Sequence, residues 1–452
     1  MPIIRKNTKQ MQPARTLCLG FLMIIIAGTL LLWLPFASKG EGSTPLFDCL
    51  FTATSATCVT GLVVADTFSN WTLFGQIVIA LLIQVGGLGF VTIITFFNVA
   101  AGKKLGYRTI ANAADGLTES TFQGGRRIFI SIMKYSMIIE GVGAVLLSIA
   151  FVPKHGGYGV WMGIFTSITA FCNAGFDLCG IDGAFGSLTG YKSNPLVLLT
   201  VAMLIIVGGL GFIVWENFLN IRKTKKLSLH TKAVLITTGV LVLAGTLFYL
   251  AAEWGNENTL GGMNFGEKLM NAFFSSVTAR TAGYNSIPIE EMSDFTQLGT
   301  CVFMFVGASP ASTGGGIKTT TLLVLVMTVV SYIRSKNDVE LLGHKIDKLA
   351  VYRTLTVTVL SMLATLLCFG VLYFTTPEEI SGVQCLFEAV SAFSTTGLSA
   401  GVTAISSIFG RCVLILTMYI GRVGPVSLAL SMLMNISKRK NLVLPEGQII
   451  VG

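Results

Sequence analysis

Residues 49–62 read C-L-F-T-A-T-S-A-T-C-V-T-G-L, and the same frame returns three times: G-I-F-T-S-I-T-A-F-C-N-A-G-F at 163–176, N-A-F-F-S-S-V-T-A-R-T-A-G-Y at 271–284 and C-L-F-E-A-V-S-A-F-S-T-T-G-L at 385–398. Ten residues before each glycine stands a phenylalanine: Phe51, Phe165, Phe273, Phe387. Eight before it stands a small residue (Ala53, Ser167, Ser275, Ala389), and one after it an apolar or aromatic one (Leu62, Phe176, Tyr284, Leu398). The glycines Gly61, Gly175, Gly283 and Gly397 are spaced by 114, 108 and 114 residues. Agreement at several positions with a near-constant period marks one unit used four times.

The chain around these segments is apolar. Only 12% of its 452 residues are charged, where soluble globular proteins carry roughly 25%. Mean hydropathy is +0.74, so there is too little polar surface to clothe a soluble protein and too little charge for a disordered one. A polytopic membrane protein remains, and its 50 glycines suit close helix packing. Nine cysteines lie scattered without a C-x-x-C, and His155, His230 and His344 are far apart. We read the cysteines as small apolar packing residues rather than metal ligands.

Eight stretches reach spanning length: roughly 17–36, 73–99, 128–152, 196–221, 233–252, 297–333, 354–374 and 409–436. The first follows a basic start (Arg5, Lys6, Lys9, Arg15) with no A-x-A-like cleavage site, so it is expected to stay as a span. The four glycine-bearing stretches are too short and too rich in Ser and Thr to cross alone, and read as re-entrant helices. The fold class is therefore all-α: four span–pore-helix–span repeats around a pseudo-fourfold axis. Repeat 1 covers 17–99, repeat 2 128–221, repeat 3 233–333 and repeat 4 354–436. The arm 1–16, the loops 100–127, 222–232 and 334–353, and the tail 437–452 hold 22 of the 31 Lys and Arg residues. The positive-inside rule puts these segments and both termini in the cytoplasm. The opposite side carries 13 acids against five bases, a balance that either concentrates cations at an opening or is ordinary solvated loop charge.

Non-helical backbone at membrane depth persists only where it is buried in protein or lines water. A glycine at the matched position permits φ > 0, which lets successive carbonyls point one way. Four such segments form an oxygen cage for a dehydrated monovalent cation, with hydroxyls of Thr57, Thr60, Thr281, Thr395 and Thr396 nearby. No acid lies just before the glycines, and Asp177 is the nearest; K⁺ or Na⁺ fits better than Ca²⁺. The sixth span contains G-A-S-P-A-S-T-G-G-G-I-K at 307–318 and cannot be one continuous helix. It reads either as a kink or as a flexible loop. It is not a Walker A motif, since Ile317 separates glycine from lysine, and the V-G-G-L-G-F strings at 85–90 and 207–212 lack the third glycine of a dinucleotide fingerprint. Lys318 and Arg422 are charges at membrane depth, which points to function. We expect Arg280 to brace the glycine segment from behind by pairing with Glu388. Glu140 and Glu216, in or near spans, stay unassigned, with structural pairing favoured over transport.

The strings T-C-V-T-G-L, A-F-C-N-A-G-F, T-A-R-T-A-G-Y-N and S-T-T-G-L-S resemble the four filter segments of the Trk/Ktr/HKT superfamily of potassium transporters. The length and short N-terminal arm look most like the KtrB-type membrane subunits of bacterial Ktr systems. The resemblance covers about residues 17–436. It implies a selectivity filter of Thr57, Cys58, Val59, Thr60 and Gly61; Cys172, Asn173, Ala174 and Gly175; Arg280, Thr281, Ala282 and Gly283; and Ser394, Thr395, Thr396 and Gly397. It implies a gate of Gly314, Gly315, Gly316, Lys318 and Arg422, with 307–318 as an intramembrane gating loop. Gly61, where some Na⁺-transporting plant members carry serine, implies K⁺; Tyr284 departs from the usual phenylalanine. Uptake across the cytoplasmic membrane, a homodimer in lipid, and a cytosolic KtrA/KtrC-type RCK ring binding ATP or ADP are further implications. Na⁺ is a candidate activator, and this chain has no cofactor of its own. The alternative is a coupled secondary cation transporter (Na⁺ or Na⁺/K⁺) working through the broken sixth helix. A membrane-embedded enzyme is disfavoured, as no H-E-x-x-H or Ser/His arrangement appears.

Overall fold

The computed structural model describes residues 13–40, 42–89, 125–221, 225–336 and 338–432. The arm before Pro13, the end of the second span (90–99), the loop 100–127 up to Gln123 and Gly124, and the stretch from 433 through the tail 437–452 lie outside the described residues. The chain runs through α1 (Pro13–Leu32), α2 (Leu46–Cys58) and α3 (Leu73–Gly87). It continues with α4 (Gly125–His155), α5 (Tyr158–Phe171), α6 (Pro195–Leu210) and α7 (Phe212–Leu219). Then come α8 (Leu229–Ala252), α9 (Phe265–Thr278), α10 (Asp294–Phe305) and α11 (Thr319–Ile333). Last are α12 (Lys348–Thr375), α13 (Gly382–Ser394), α14 (Ile408–Val423) and α15 (Pro425–Met432). The two-residue strands Glu340–Leu341 and His344–Lys345 form a small hairpin between α11 and α12.

Local chemistry starts these helices where they start. α9 and α13 open on capping boxes, Asn264 with Glu267 and Ser381 with Gln384, and α6 on Asn194, whose side chain accepts from the Leu196 and Val197 amides ahead of Pro195. Each such cap satisfies amides the helix leaves free, worth about 1 kcal/mol. Within each group the opening long helix packs on the short one: α1 on α2, α4 on α5, α8 on α9, α12 on α13. Between groups, α3 packs on α5, α6 on α9, α10 on α13, and α14 returns to α2. The packing order closes on itself.

Polarity is inverted relative to a soluble protein. Every Ser and Thr of α2, α5 and α13 is buried. Large apolar side chains stand exposed on the outer helices, among them Met23 and Leu30 of α1, Val240, Leu243 and Leu247 of α8, and Val359, Leu363 and Leu367 of α12. Such a surface is stable against hydrocarbon, not water. Among the described residues three helices are long and apolar enough to cross a membrane (Ile130–His155, Leu229–Ala252, Lys348–Thr375), and α6 with α7 makes a fourth if the bent pair is one span. All nine cysteines are free thiols and seven are buried.

Two spans read as continuous are broken. The stretch 196–221 turns by 91° at Gly211, whose φ is +92, and 409–436 breaks at Gly424, φ +90, ahead of Pro425. Both glycines adopt backbone that L-residues avoid, and Pro425 is settled at the start of a new helix, where its missing N–H costs nothing. Neighbouring glycines have the other use. A Cβ would stand 2.0 Å from the Thr57 carbonyl oxygen at Gly86, 1.9 Å from that of Phe171 at Gly208 and 1.8 Å from that of Phe393 at Gly421. Only glycine lets these helices approach the ends of α2, α5 and α13 so closely.

At the end of α8, fully buried Glu253 accepts from Thr259 Oγ1 (2.6 Å), Asn256 Nδ2 (2.7 Å), Ser293 N and Oγ (both 3.1 Å) and Thr296 Oγ1, tying α8 to the start of α10. Burial works to raise its pKa, but these hydrogen bonds outweigh it and hold the carboxyl below the usual carboxylate range. Glu253→Gln is expected to lower stability in detergent by about 2–3 kcal/mol near neutral pH, since the new amide turns donors toward donors. A depressed folded-state pKa contributes stability that is lost as pH falls through that pKa. The gap between native and variant unfolding temperatures is therefore expected to narrow in acid; a gap that is absent at neutral pH would refute the network's role.

Candidate functional site

The four glycine segments share one backbone conformation. Val59, Asn173, Thr281 and Thr395 have φ of 57, 58, 68 and 53, and the glycines two residues on have φ of 94, 67, 82 and 88. Two of the four non-glycine residues are threonine and one is valine, β-branched types for which left-handed backbone is a true outlier. Such conformations cost ~1–3 kcal/mol and persist where surroundings fix them, characteristically at functional sites. Here the fixing bonds come from the preceding helices: Thr60 N donates to Ser55 O at 2.8 Å, Ala174 N to Thr169 O at 2.8 Å and Thr396 N to Ser391 O at 2.9 Å. The hydroxyls of Ser55 and Ser391 accept from Gly61 N and Gly397 N at 3.1 and 3.0 Å. These serines went unremarked in the sequence, though they occupy matched positions six residues before their glycines.

The segments meet in a closed ring. A Cβ on Gly61 would stand 2.5 Å from Ala174 O, one on Gly175 2.9 Å from Ala282 O, one on Gly283 2.5 Å from Thr396 O, and one on Gly397 2.1 Å from Thr60 O. The order follows the chain and the fourth segment abuts the first. The hydroxyls of Thr57, Thr60 and Thr395 are buried with no hydrogen-bond partner among the described residues. Buried polar atoms are nearly always partnered, so oxygens left over beside a ring of carbonyls fit a cation. On one side of the ring opens a cavity of about 530 Å³ that the four glycines line together with Asp66, Asp177 and Glu290.

On the other side lies the break between α10 and α11. The segment folds back on itself, Gly307 N donating to Ile317 O at 2.8 Å. Gly314 and Gly315 press on the ring segments: a Cβ would be 2.1 Å from Thr281 Oγ1 at the first and 2.2 Å from Thr395 Oγ1 at the second. Gly316, φ +67, packs on Gly307 and Ser394. Lys318 Nζ donates to Gly314 O at 2.7 Å. Arg422 donates to Thr313 O from Nη1, and from Nη2 to Gly86 O and to Gly87 O, the last at 3.3 Å, so one side chain bridges the loop and the end of α3. The loop also leans on the break at Gly211, with Ser309 N donating to Gly209 O at 3.0 Å and Phe212 N to Ala311 O at 2.9 Å.

Cys58, Cys172, Arg280 and Ser394, at the helix ends, are all buried. Cys172 Sγ reaches Gln84 Oε1 at 3.6 Å, and Ser394 Oγ donates to Val390 O at 2.6 Å. Arg280 does not pair with Glu388. Its guanidinium points outward to Thr238 Oγ1 on α8, 3.4 Å away. Glu388 instead accepts from Ser399 Oγ (2.8 Å), Ala400 N (3.2 Å), Thr403 N (3.0 Å) and Thr403 Oγ1, bracing the segment that leaves Gly397. Glu140 is paired as a structural carboxylate, with Gln84 Nε2 at 2.9 and 3.2 Å; Glu216 lies part-buried on α7.

An apolar helical chain enclosing a carbonyl ring, with a cavity on one side and a folded loop on the other, is the build of a membrane transport protein. The family model described as TrkH, cation transport protein, matches residues 9–441. The chain belongs to this Trk/Ktr family of cation transport proteins. It is 39% identical to the potassium/sodium uptake protein NtpJ of Enterococcus hirae over the whole of both chains. It is 37% identical to the Ktr system potassium uptake protein B of Bacillus subtilis, over 97% of each. The crystal structure of the potassium transporter TrkH from Vibrio parahaemolyticus matches with a TM-score of 0.70 over 95% of this chain and 86% of that one, at 17% identity, a likeness of fold.

Proposed function

We propose that the protein takes up K⁺ across the cytoplasmic membrane. Eight spans and four re-entrant helices stand around a pseudo-fourfold axis, and the ion moves down its electrochemical gradient along that axis. The observation that carries this reading is the closed ring: four carbonyls, of Thr60, Ala174, Ala282 and Thr396, presented by segments whose glycines leave no room for side chains. Carbonyl oxygens replace the hydration shell of a monovalent cation, and the orphaned threonine hydroxyls add ligands. The acidic cavity faces outward and enriches cations there. The loop 307–318 is the gate, and Arg422 and Lys318 set positive charge below the ring while pinning the loop shut. The relatives named for potassium uptake support the same substrate. The reading includes a homodimer and a cytosolic RCK-type ring that binds ATP or ADP and acts on the basic loops 222–232 and 334–353. Na⁺ activation belongs to it as well.

A coupled secondary cation transporter is favoured by one observation, that the second helix of several repeats is broken, as substrate-binding helices of such transporters are. Tracer Rb⁺ uptake into proteoliposomes separates the two. Uptake that follows the K⁺ gradient and the imposed voltage, with no fixed counter-ion, is expected. A strict stoichiometry with Na⁺ or H⁺ would replace the channel-like reading with the coupled one.

A further inference from the structure

The ring is not held equally at its four seams. The residues following the glycines are Leu62, Phe176, Tyr284 and Leu398, and Tyr284 alone has a polar group. Its ring is fully buried. Its hydroxyl donates to Phe176 O, the carbonyl next to Gly175, at 3.0 Å, and bonds Thr169 Oγ1 on α5. Thr169 Oγ1 also lies 3.0 Å from Phe165 O and 3.2 Å from Thr166 O on its own helix, and since each hydroxyl has one proton to give, either of the two can be the donor in the bond between them. The other end of the residue is fixed too, because Thr278 Oγ1 on α9 donates to Tyr284 O at 2.6 Å. Further along the same seam Leu188 N donates to Asn285 O at 3.0 Å and Asn285 N to Ser187 Oγ at 3.2 Å. This is also the seam where the two glycines approach each other reciprocally: a Cβ on Gly175 would be 2.9 Å from Gly283 Cα, and one on Gly283 3.0 Å from Gly175 Cα.

We propose that the Tyr284 hydroxyl is a specificity-determining strut. It is a positioning residue that never touches the ion and that fixes the distance between the second and third filter segments, so that the ring cannot contract around a smaller cation. This inference rests on the proposed filter role of the ring. An aliphatic or phenyl side chain at 284 fills the same space but leaves the seam free to shift, and the carbonyls of Ala174 and Ala282 then follow whichever ion is present. The consequence is loss of discrimination rather than loss of passage, and Thr169 belongs to the same device from the other side.

The test measures Rb⁺ and Na⁺ tracer uptake by purified, monodisperse protein in proteoliposomes, for native chain, Tyr284→Phe, Thr169→Val, their combination, and Thr169→Ser. Tyr284→Phe is expected to lower the Rb⁺/Na⁺ uptake ratio by about tenfold, equivalent to ~1.4 kcal/mol, through a rise in Na⁺ uptake. Thr169→Val, which removes the bond to Thr169 but leaves the one to Phe176 O, is expected to lower the ratio by a smaller factor, and the double variant to be no worse than Tyr284→Phe alone, which already removes both bonds. Thr169→Ser, which keeps the hydroxyl, is expected to retain the native ratio. Should Tyr284→Phe not fold, Thr169→Val reads the same strut. A native ratio in Tyr284→Phe or, failing that, in Thr169→Val, while Gly397→Ala abolishes uptake, overturns the strut and leaves the filter standing. A native chain with no preference for Rb⁺ overturns both.

Discussion

Gly397→Ala is expected to reduce K⁺ uptake by about 100-fold, and Gly175→Ala by far less. At 397 the new Cβ would lie 2.1 Å from Thr60 O, a backbone atom that is itself part of the ring. The carbonyl must move, and the φ of +88 adds a left-handed penalty of ~1–2 kcal/mol for any L-residue. At 175 the nearest atoms are 2.9 Å away and φ is +67, within reach of the left-handed well. Gly61 and Gly283, each with a carbonyl oxygen at 2.5 Å, fall between. Because each ~1.4 kcal/mol is tenfold in rate, the four variants form a graded series. Initial rates of tracer uptake by folded protein check it. Native-like uptake in Gly397→Ala, or Gly175→Ala as the worse of the two, would contradict the ring geometry.

Arg422→Ala is expected to act in the opposite direction and raise basal uptake by roughly 10–100-fold. The guanidinium holds Thr313 O of the loop and Gly86 O and Gly87 O of α3 at once. Hydrogen bonds from a charged donor contribute about 1.5–3 kcal/mol each, and losing the one to the loop shifts the closed–open balance by that much. The loop also loses a positive charge from the path it closes. Arg422→Lys keeps the charge but cannot fork between two segments, so its uptake should lie between native and alanine. Uptake that falls in a folded Arg422→Ala protein would show that the residue supports the open path instead of closing it.

Part of this architecture is visible in the sequence because the repeated frame places a phenylalanine, a small residue and a glycine at fixed offsets. The four glycines so aligned are the ones that stand in the ring. The left-handed backbone at Val59, Thr281 and Thr395 is not visible, since propensity argues against it; the serines and threonines of the preceding helices override that preference by hydrogen bonding. Sequence alone does not separate glycines that permit contact from those that permit a turn. Gly208 and Gly421 pack on carbonyls, whereas Gly211 and Gly424, three residues on, break their helices, and only Pro425 gave a local sign of it. The direction of Arg280 was also out of reach. A residue three before its glycine lies on the outer face of the helix end, so the guanidinium turns to Thr238 and Glu388 finds four donors in its own segment.

The most direct measurement is the anomalous scattering of Rb⁺ in crystals of the protein grown with Rb⁺ in place of K⁺. The account predicts a peak on the axis of the ring, among the carbonyl oxygens of Thr60, Ala174, Ala282 and Thr396, that vanishes when Rb⁺ is replaced by Na⁺. A ring without a peak, with Rb⁺ confined to the cavity beside Asp66, Asp177 and Glu290, would contradict it.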